Sequence, residues 1–169
     1  MTSQQENKLI LCGCGWLGGY LASHFRSQMT IYGTTRSEDK ARALSQQGIQ
    51  AIPYTLGDTP QDLLAEAPNS TFILNIPPGR RNTDLSQFTS AMQQLISALY
   101  NQVPPKQLIF ISTTSVYGDQ EGDITTDTAP APNTASGEAH VAIEQCIQNT
   151  APDSAYILRL AGLTGPDRH

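Results

Sequence analysis

The chain has 169 residues, with 10 Lys+Arg against 15 Asp+Glu and a formal net charge of −5 at pH 7. Its 38% hydrophobic and 15% charged content is that of a folded domain with one core, which excludes a disordered chain. The acidic balance argues against a nucleic-acid partner, which needs a basic face to displace counterions. No stretch approaches the roughly 20 apolar residues of a membrane span. The polar start, MTSQQENK, lacks the basic and apolar regions of a secretory leader. Three cysteines, Cys12, Cys14 and Cys146, give neither an even disulfide framework nor zinc-spaced ligand pairs, so a reducing cytoplasmic setting without a metal is expected.

From the N-terminus, Leu9-Ile10-Leu11-Cys12 predicts a strand over 8–12. It leads into Gly13-Cys14-Gly15-Trp16-Leu17-Gly18, a G-x-G-x-x-G run. The spacing of Leu17, Tyr20, Leu21, His24 and Phe25 then predicts a helix over 17–28. Strand, glycine turn and helix together are the context that makes the run a dinucleotide-binding expectation. Gly13 allows a tight turn out of the strand, Gly15 lets backbone approach a pyrophosphate, and Gly18 lets the helix pack on the strand. The helix N-terminus adds free N–H groups and a positive dipole end. Gly13, Gly15, Trp16, Leu17 and Gly18 are therefore candidate cofactor-binding residues.

A second strand over 30–34 leaves through Thr35-Arg36-Ser37. NAD-preferring domains place an acid about 20 residues past the glycines to bond the ribose 2′-hydroxyl. Here Arg36 stands at that tip, and Glu38 and Asp39 lie inside the next helix. A planar guanidinium suits a 2′-phosphate, so Thr35 and Arg36 favour NADP over NAD. Ser37 can cap a helix over 37–47 that Gly48 ends. A strand over 49–54 follows, and Thr59-Pro60 reads as N-cap and first residue of a helix over 60–67. The fourth strand, 71–75, exits into Ile76-Pro77-Pro78-Gly79, which makes Asn75, Ile76 and Pro77 a candidate wall beside the cofactor. Arg80 and Arg81 read as a solvated basic turn. A helix over 84–101 carries an apolar stripe of Leu85, Phe88, Met92, Leu95, Ile96 and Leu99. A strand over 107–112, a long loop over 113–135 of the kind that is functional or mobile, a helix over 136–149 and a strand over 155–159 complete the order. Strands alternating with helices predict an α/β fold: a Rossmann-type doubly wound parallel sheet with helices on both faces. Ligands of such sheets bind at the carboxyl ends of the strands.

Ser112-Thr113-Thr114-Ser115-Val116-Tyr117-Gly118, the early glycine run, and Arg159 followed by Gly165-Pro166 together resemble the extended short-chain dehydrogenase/reductase family. This is the NAD(P)-dependent epimerase/dehydratase group of sugar-nucleotide enzymes, and the likeness is greatest to an atypical branch with a G-x-G-W-L-G start. The resemblance covers nearly the whole chain. It implies an NAD(P)-binding Rossmann domain over 1–169, with the small C-terminal substrate region absent from this stretch. A sheet of this size is expected to need further helices, so the chain reads as a fragment. The resemblance also implies a small-molecule substrate, a sugar nucleotide or other carbonyl compound. It implies a homodimer contact through helices 84–101 and 136–149, although core packing explains much of the apolar stripe.

In that family a Ser or Thr three residues before the valine of Val-Tyr-Gly bonds the substrate oxygen; here it is Thr113. A Tyr-x-x-x-Lys pair on the next helix supplies the proton, the lysine lowering the tyrosine's pKa. That pair is missing. In the register set by Glu144, Ser136 stands for the tyrosine and His140 for the lysine. Serine is a poor proton donor near neutral pH, whereas a histidine titrates there or pairs with Glu144 one helical turn on. Thr113, His140 and Ser136 are thus the catalytic candidates for an NAD(P)-dependent oxidoreductase or epimerase/dehydratase-like reaction with a nonstandard acid/base. The missing pair equally fits a non-catalytic NADP(H)-binding sensor or scaffold.

Overall fold

A computed structural model describes residues 7–79, 84–102 and 104–168; the Arg80-Arg81 turn lies outside them. Six parallel strands, β1 (Lys8–Cys12), β2 (Thr30–Thr35), β3 (Gln50–Pro53), β4 (Ser70–Leu74), β5 (Gln107–Thr113) and β6 (Ala155–Leu160), form one sheet. Their order is β3-β2-β1-β4-β5-β6. The chain steps outward from β1 to β2 and β3, then crosses to β4 on the other side of β1. The connections leaving the carboxyl ends of β1 and β4 therefore run to opposite faces of the sheet, the helix after β1 to one and the helix after β4 to the other, and their divergence opens the crevice in which doubly wound sheets take their ligands. The expected Rossmann-type fold is the one observed.

Side-chain alternation on the strands separates two cores. Ile10 and Cys12 of β1, Phe72 and Leu74 of β4, and Leu108 and Phe110 of β5 face one side. There they meet α3 (Gln61–Glu66), α4 (Ser86–Asn101) and α5 (Ala135–Thr150) through Leu63, Ile96 and Ile143. Leu9, Leu11, Ile31 and Ile73 face the other side, with Ala22 of α1 (Trp16–Phe25) and Leu44 of α2 (Glu38–Gln46). β1 is buried on both faces, as a central parallel strand must be. The stripe on α4 lies inside this core, with Met92, Leu95, Ile96 and Leu99 all buried.

Several boundaries differ from those expected. α1 stops at Phe25, because the Phe25 carbonyl accepts from both Gln28 and Met29 and closes a turn. Its buried positions are Gly18 and Ala22, so a small-residue face approaches the sheet and Tyr20 of the expected apolar pattern is 48% exposed. Pro60 occupies the cap of α3, not its first helical position, and its carbonyl takes the first helical bond from Leu64. Ser37 does cap α2, its Oγ accepting from the Lys40 amide. Gly48 follows that helix at φ +78°. The long loop opens with a 3-10 turn, Thr114–Tyr117, and is tied back to it by the Ala131 amide on the Val116 carbonyl. At the β6 edge, Tyr156 and Leu158 stand exposed beside Ile109 and Ile111, on the face that α1 and α2 cover further along the sheet.

Candidate functional site

The glycine turn leaving β1 is held from both neighbouring strands. The Gly13 amide donates to Thr34 Oγ1 of β2 at 2.7 Å, and the Gly13 carbonyl accepts from Asn75 Nδ2 beyond β4 at 3.2 Å. The Asn75 amide donates to the Cys12 carbonyl, which continues the β1–β4 ladder past the end of the strands. Gly13 has φ +97°, and a Cβ there would strike the Asn75 carbonyl. Both facts exclude a side chain. Gly18 packs the helix onto this turn; a Cβ on it would lie 3.3 Å from the Gly13 carbonyl. Gly15 is different. A Cβ on it would meet nothing within 4 Å, so no protein packing accounts for the missing side chain.

Around this turn the thiols serve packing. Burial pushes the Cys12 thiol up to about 12, with the Thr34 hydroxyl pulling slightly the other way. Cys14 is raised for the same reason, opposed by the positive charge of Lys40. Cys14 fits only because β2 carries Gly33, where a Cβ would come 3.1 Å from the Cys14 Cβ.

At the tip of β2, Arg36 is exposed and has no carboxylate partner among the described residues, whereas Arg42 on α2 pairs with Asp39 at 2.6 Å. Thr35 is buried, and its Oγ1 accepts from the Ser37 amide, so its hydroxyl shapes the turn that presents Arg36. Beyond β4, Ile76 packs on the core and Pro77 is exposed at the strand tip. Leu17 is half-buried in the first turn of α1, and Trp16 directs its indole towards the segment after β6, donating from Nε1 to the Pro166 carbonyl.

The second half of the crevice edge follows β5. Thr113 Oγ1 accepts from the Ser115 amide and hydrogen-bonds the Ser115 hydroxyl, both at 3.1 Å. The start of α5 presses on this turn, since a Cβ on Gly137 would come 2.6 Å from the Ser115 carbonyl. Ser136 is half-buried beside it. The structure thus brings the Thr113 turn and the Ser136 end of α5 together. His140 is buried, its ring stacked on Phe110 with centroids 5.8 Å apart. Its Nδ1 lies 2.7 Å from the Ser136 carbonyl. A carbonyl only accepts, so Nδ1 carries the proton in that bond and Nε2 is the nitrogen left for exchange.

The expected alternative of a His140–Glu144 pair is not observed. Glu144 is buried and engaged elsewhere: Ser112 Oγ donates to it at 2.6 Å, and Arg159 approaches through Nε and through Nη2 at 2.7 Å. Arg159 Nη1 donates in turn to the Tyr117 hydroxyl at 2.7 Å, and that hydroxyl donates to the Thr125 carbonyl. The Glu144 carboxylate holds the Arg159 guanidinium above its ordinary pKa, against the cost of burial. One ion pair therefore joins β5, β6, α5 and the long loop. From the sequence, Glu144 is a register mark and a candidate partner for His140, and its pairing with Arg159 is not evident. The available signal was a carboxylate on an apolar helix face, which demands a cation.

Comparison with known proteins agrees with this geometry. A family model described as the NAD dependent epimerase/dehydratase family matches residues 9–169. Protein YeeZ of Escherichia coli (strain K12) is 34% identical over 170 residues, covering 96% of this chain and 61% of that protein. The chain therefore spans about three-fifths of the length of that curated relative. UDP-glucuronic acid 4-epimerase from Bacillus cereus, solved in complex with NAD, superposes with a TM-score of 0.76 at 21% identity, over 94% of this chain and 57% of that one. A functionally unknown conserved protein from Silicibacter pomeroyi DSS gives 0.72 at 26% identity, over 96% and 55%.

The Glu144–Arg159 pair gives this region its sharpest stability test. Arg159→Leu leaves a buried carboxylate without its cation, and the expected loss is about 3–5 kcal/mol in urea unfolding. A loss below about 1 kcal/mol would show that solvent already reaches Glu144.

Proposed function

The chain belongs to the NAD dependent epimerase/dehydratase family, and on that premise we propose that it binds NADP(H) at the β1–α1 turn and holds a nucleoside-diphosphate sugar or related carbonyl substrate at the Thr113 turn. The observation that carries this reading is Gly15. It is a loop glycine at a helix N-terminus and a strand-order switch, and no protein atom stands where its side chain would be. The Gly15 amide itself donates to the Gly13 carbonyl, and a diphosphate lying over Gly15 against the free amides at the start of α1 explains that space. Gly13 and Gly18 hold the turn, Asn75 braces it, and Arg36 offers a planar cation for a 2′-phosphate where an NAD-preferring site has an acid.

The bound nicotinamide would supply hydride transfer. The chain's own contribution is orientation. Thr113 Oγ1, which accepts from the Ser115 amide and donates to the Ser115 hydroxyl, is the candidate acceptor for a substrate hydroxyl. His140 Nε2 is the candidate proton-exchange atom, with the Ser136 carbonyl fixing its tautomer. The Bacillus cereus neighbour is a UDP-glucuronic acid 4-epimerase solved with NAD, which supports the substrate class.

A second reading has its own support. His140 is buried and stacked on Phe110, and neither it nor Ser136 reproduces a tyrosine–lysine pair. In that reading the chain is an NADP(H)-binding sensor or scaffold. Deuteride transfer from labelled NADPH to a substrate of the class decides for the enzyme; binding without transfer decides for the sensor.

Calorimetric titration tests the cofactor. Arg36→Ala is expected to weaken NADPH by about 10- to 100-fold, the worth of a charge-assisted hydrogen bond, and to leave NADH unchanged. Equal loss for both dinucleotides, or none, would remove the phosphate role. Thr113→Val is expected to abolish turnover at unchanged NADPH affinity; intact turnover would remove Thr113 from the reaction.

A further inference from the structure

Trp16 is the chain's single tryptophan and the one bulky side chain between the last two glycines of the motif apart from Leu17. It belongs to the first turn of α1, yet its indole is committed to a segment some 150 residues further on, through Nε1 on the Pro166 carbonyl at 3.1 Å. Gly165 makes room for it, since a Cβ there would come 2.7 Å from Trp16 Cζ2. Residues 165–168 fold back on themselves by reciprocal hydrogen bonds between Gly165 and Arg168, at 3.0 and 3.1 Å. Asp167 takes φ +61° to complete the reversal. The result sets the Arg168 guanidinium 5.1 Å from the centre of the indole ring.

Lys8, Arg42 and Arg159 each have a carboxylate within ion-pair distance. Arg168 is exposed and, like Arg26, Arg36, Lys40 and Lys106, has none among the described residues; what sets it apart is its seat on the Trp16 indole. The run Gly13–Gly19 contains no acid either. In a chain with more acids than bases, an unpaired guanidinium is thus held by a stacking platform beside a helix N-terminus. Both features attract negative charge, and no group of the described chain supplies it.

We infer that Arg168, carried on Trp16, is a ligand for a diphosphate seated at the glycine turn, and that the segment after β6 is the strap that brings it there. The inference rests on the dinucleotide reading above and adds to it a cation from the far end of the chain. Two ligands present the same chemistry, the dinucleotide's own diphosphate and that of a nucleoside-diphosphate sugar, and the test separates them.

Wild type, Arg168→Ala, Arg168→Lys and Arg36→Ala are titrated with NADPH, NADH and UDP-glucose, following Trp16 fluorescence and heat. Arg168→Ala is expected to weaken NADPH and NADH alike, by about tenfold, at an unchanged thermal midpoint, whereas Arg36→Ala weakens NADPH alone. Arg168→Lys, which keeps the charge, recovers part of the loss; a merely structural strap would fail equally in both variants. Loss confined to UDP-glucose supports the anion role and assigns it to the sugar nucleotide. Unchanged affinity for all three probes overturns the inference while the cofactor reading stands. Wild-type protein that binds neither dinucleotide overturns both.

Discussion

The carboxyl edge of the sheet depends on how one peptide unit, that of Gly13, is gripped. Its amide is taken by Thr34 on one side of β1 and its carbonyl by Asn75 on the other. These two side-chain bonds grip the chain one residue beyond β1, where the backbone must turn through φ +97° against the Asn75 carbonyl. Glycine reaches a left-handed φ without steric cost but loses more freedom than other residues when held in one conformation, so something must hold it. Here both neighbouring strands do so. The turn is thereby held without any ligand, and the next free amides belong to the N-terminus of α1.

From that grip the rest of the edge follows. Gly18 and Ala22 bring α1 down onto the strand exit, and Gly33 yields space for the Cys14 side chain, which otherwise would push β2 away. The second fixed point, Glu144 with Arg159, holds the opposite bank. It ties Ser112, the residue before Thr113, to β6 and to Tyr117, and Tyr117 reaches the long loop through the Thr125 carbonyl. A buried pair of this kind adds little net stability over a hydrophobic alternative, but its geometry is exacting. Its consequence here is positional: the Thr113 hydroxyl and the first turn of α5 keep one arrangement.

Much of this was legible in the sequence. Short apolar runs alternating with helical stripes are enough to specify a parallel sheet, and a glycine run between a strand and a helix marks its switch point. The roles expected of Gly13 and Gly18 are visible in their surroundings. Other features depend on partners distant in sequence. Nothing near Thr34 indicates that its hydroxyl would hold Gly13, and nothing near His140 indicates that Arg159 would claim Glu144. The early end of α1 is set by two amides competing for the Phe25 carbonyl, which periodicity does not report. The position of Trp16 in the motif is read from the sequence, but the reach of its indole to Pro166 depends on a segment 150 residues away.

The central claim is that the backbone at Gly15 faces a diphosphate, and a single added methyl group tests it. Gly15 has a negative φ of −87°, and the space its Cβ would enter holds no protein atom within 4 Å. Gly15→Ala should therefore fold with an unfolding midpoint close to that of the wild type while its affinity for NADPH falls by more than about tenfold, the two being measured on one preparation by thermal melting and calorimetry. A folded Gly15→Ala protein that binds NADPH as tightly as wild type would contradict the account.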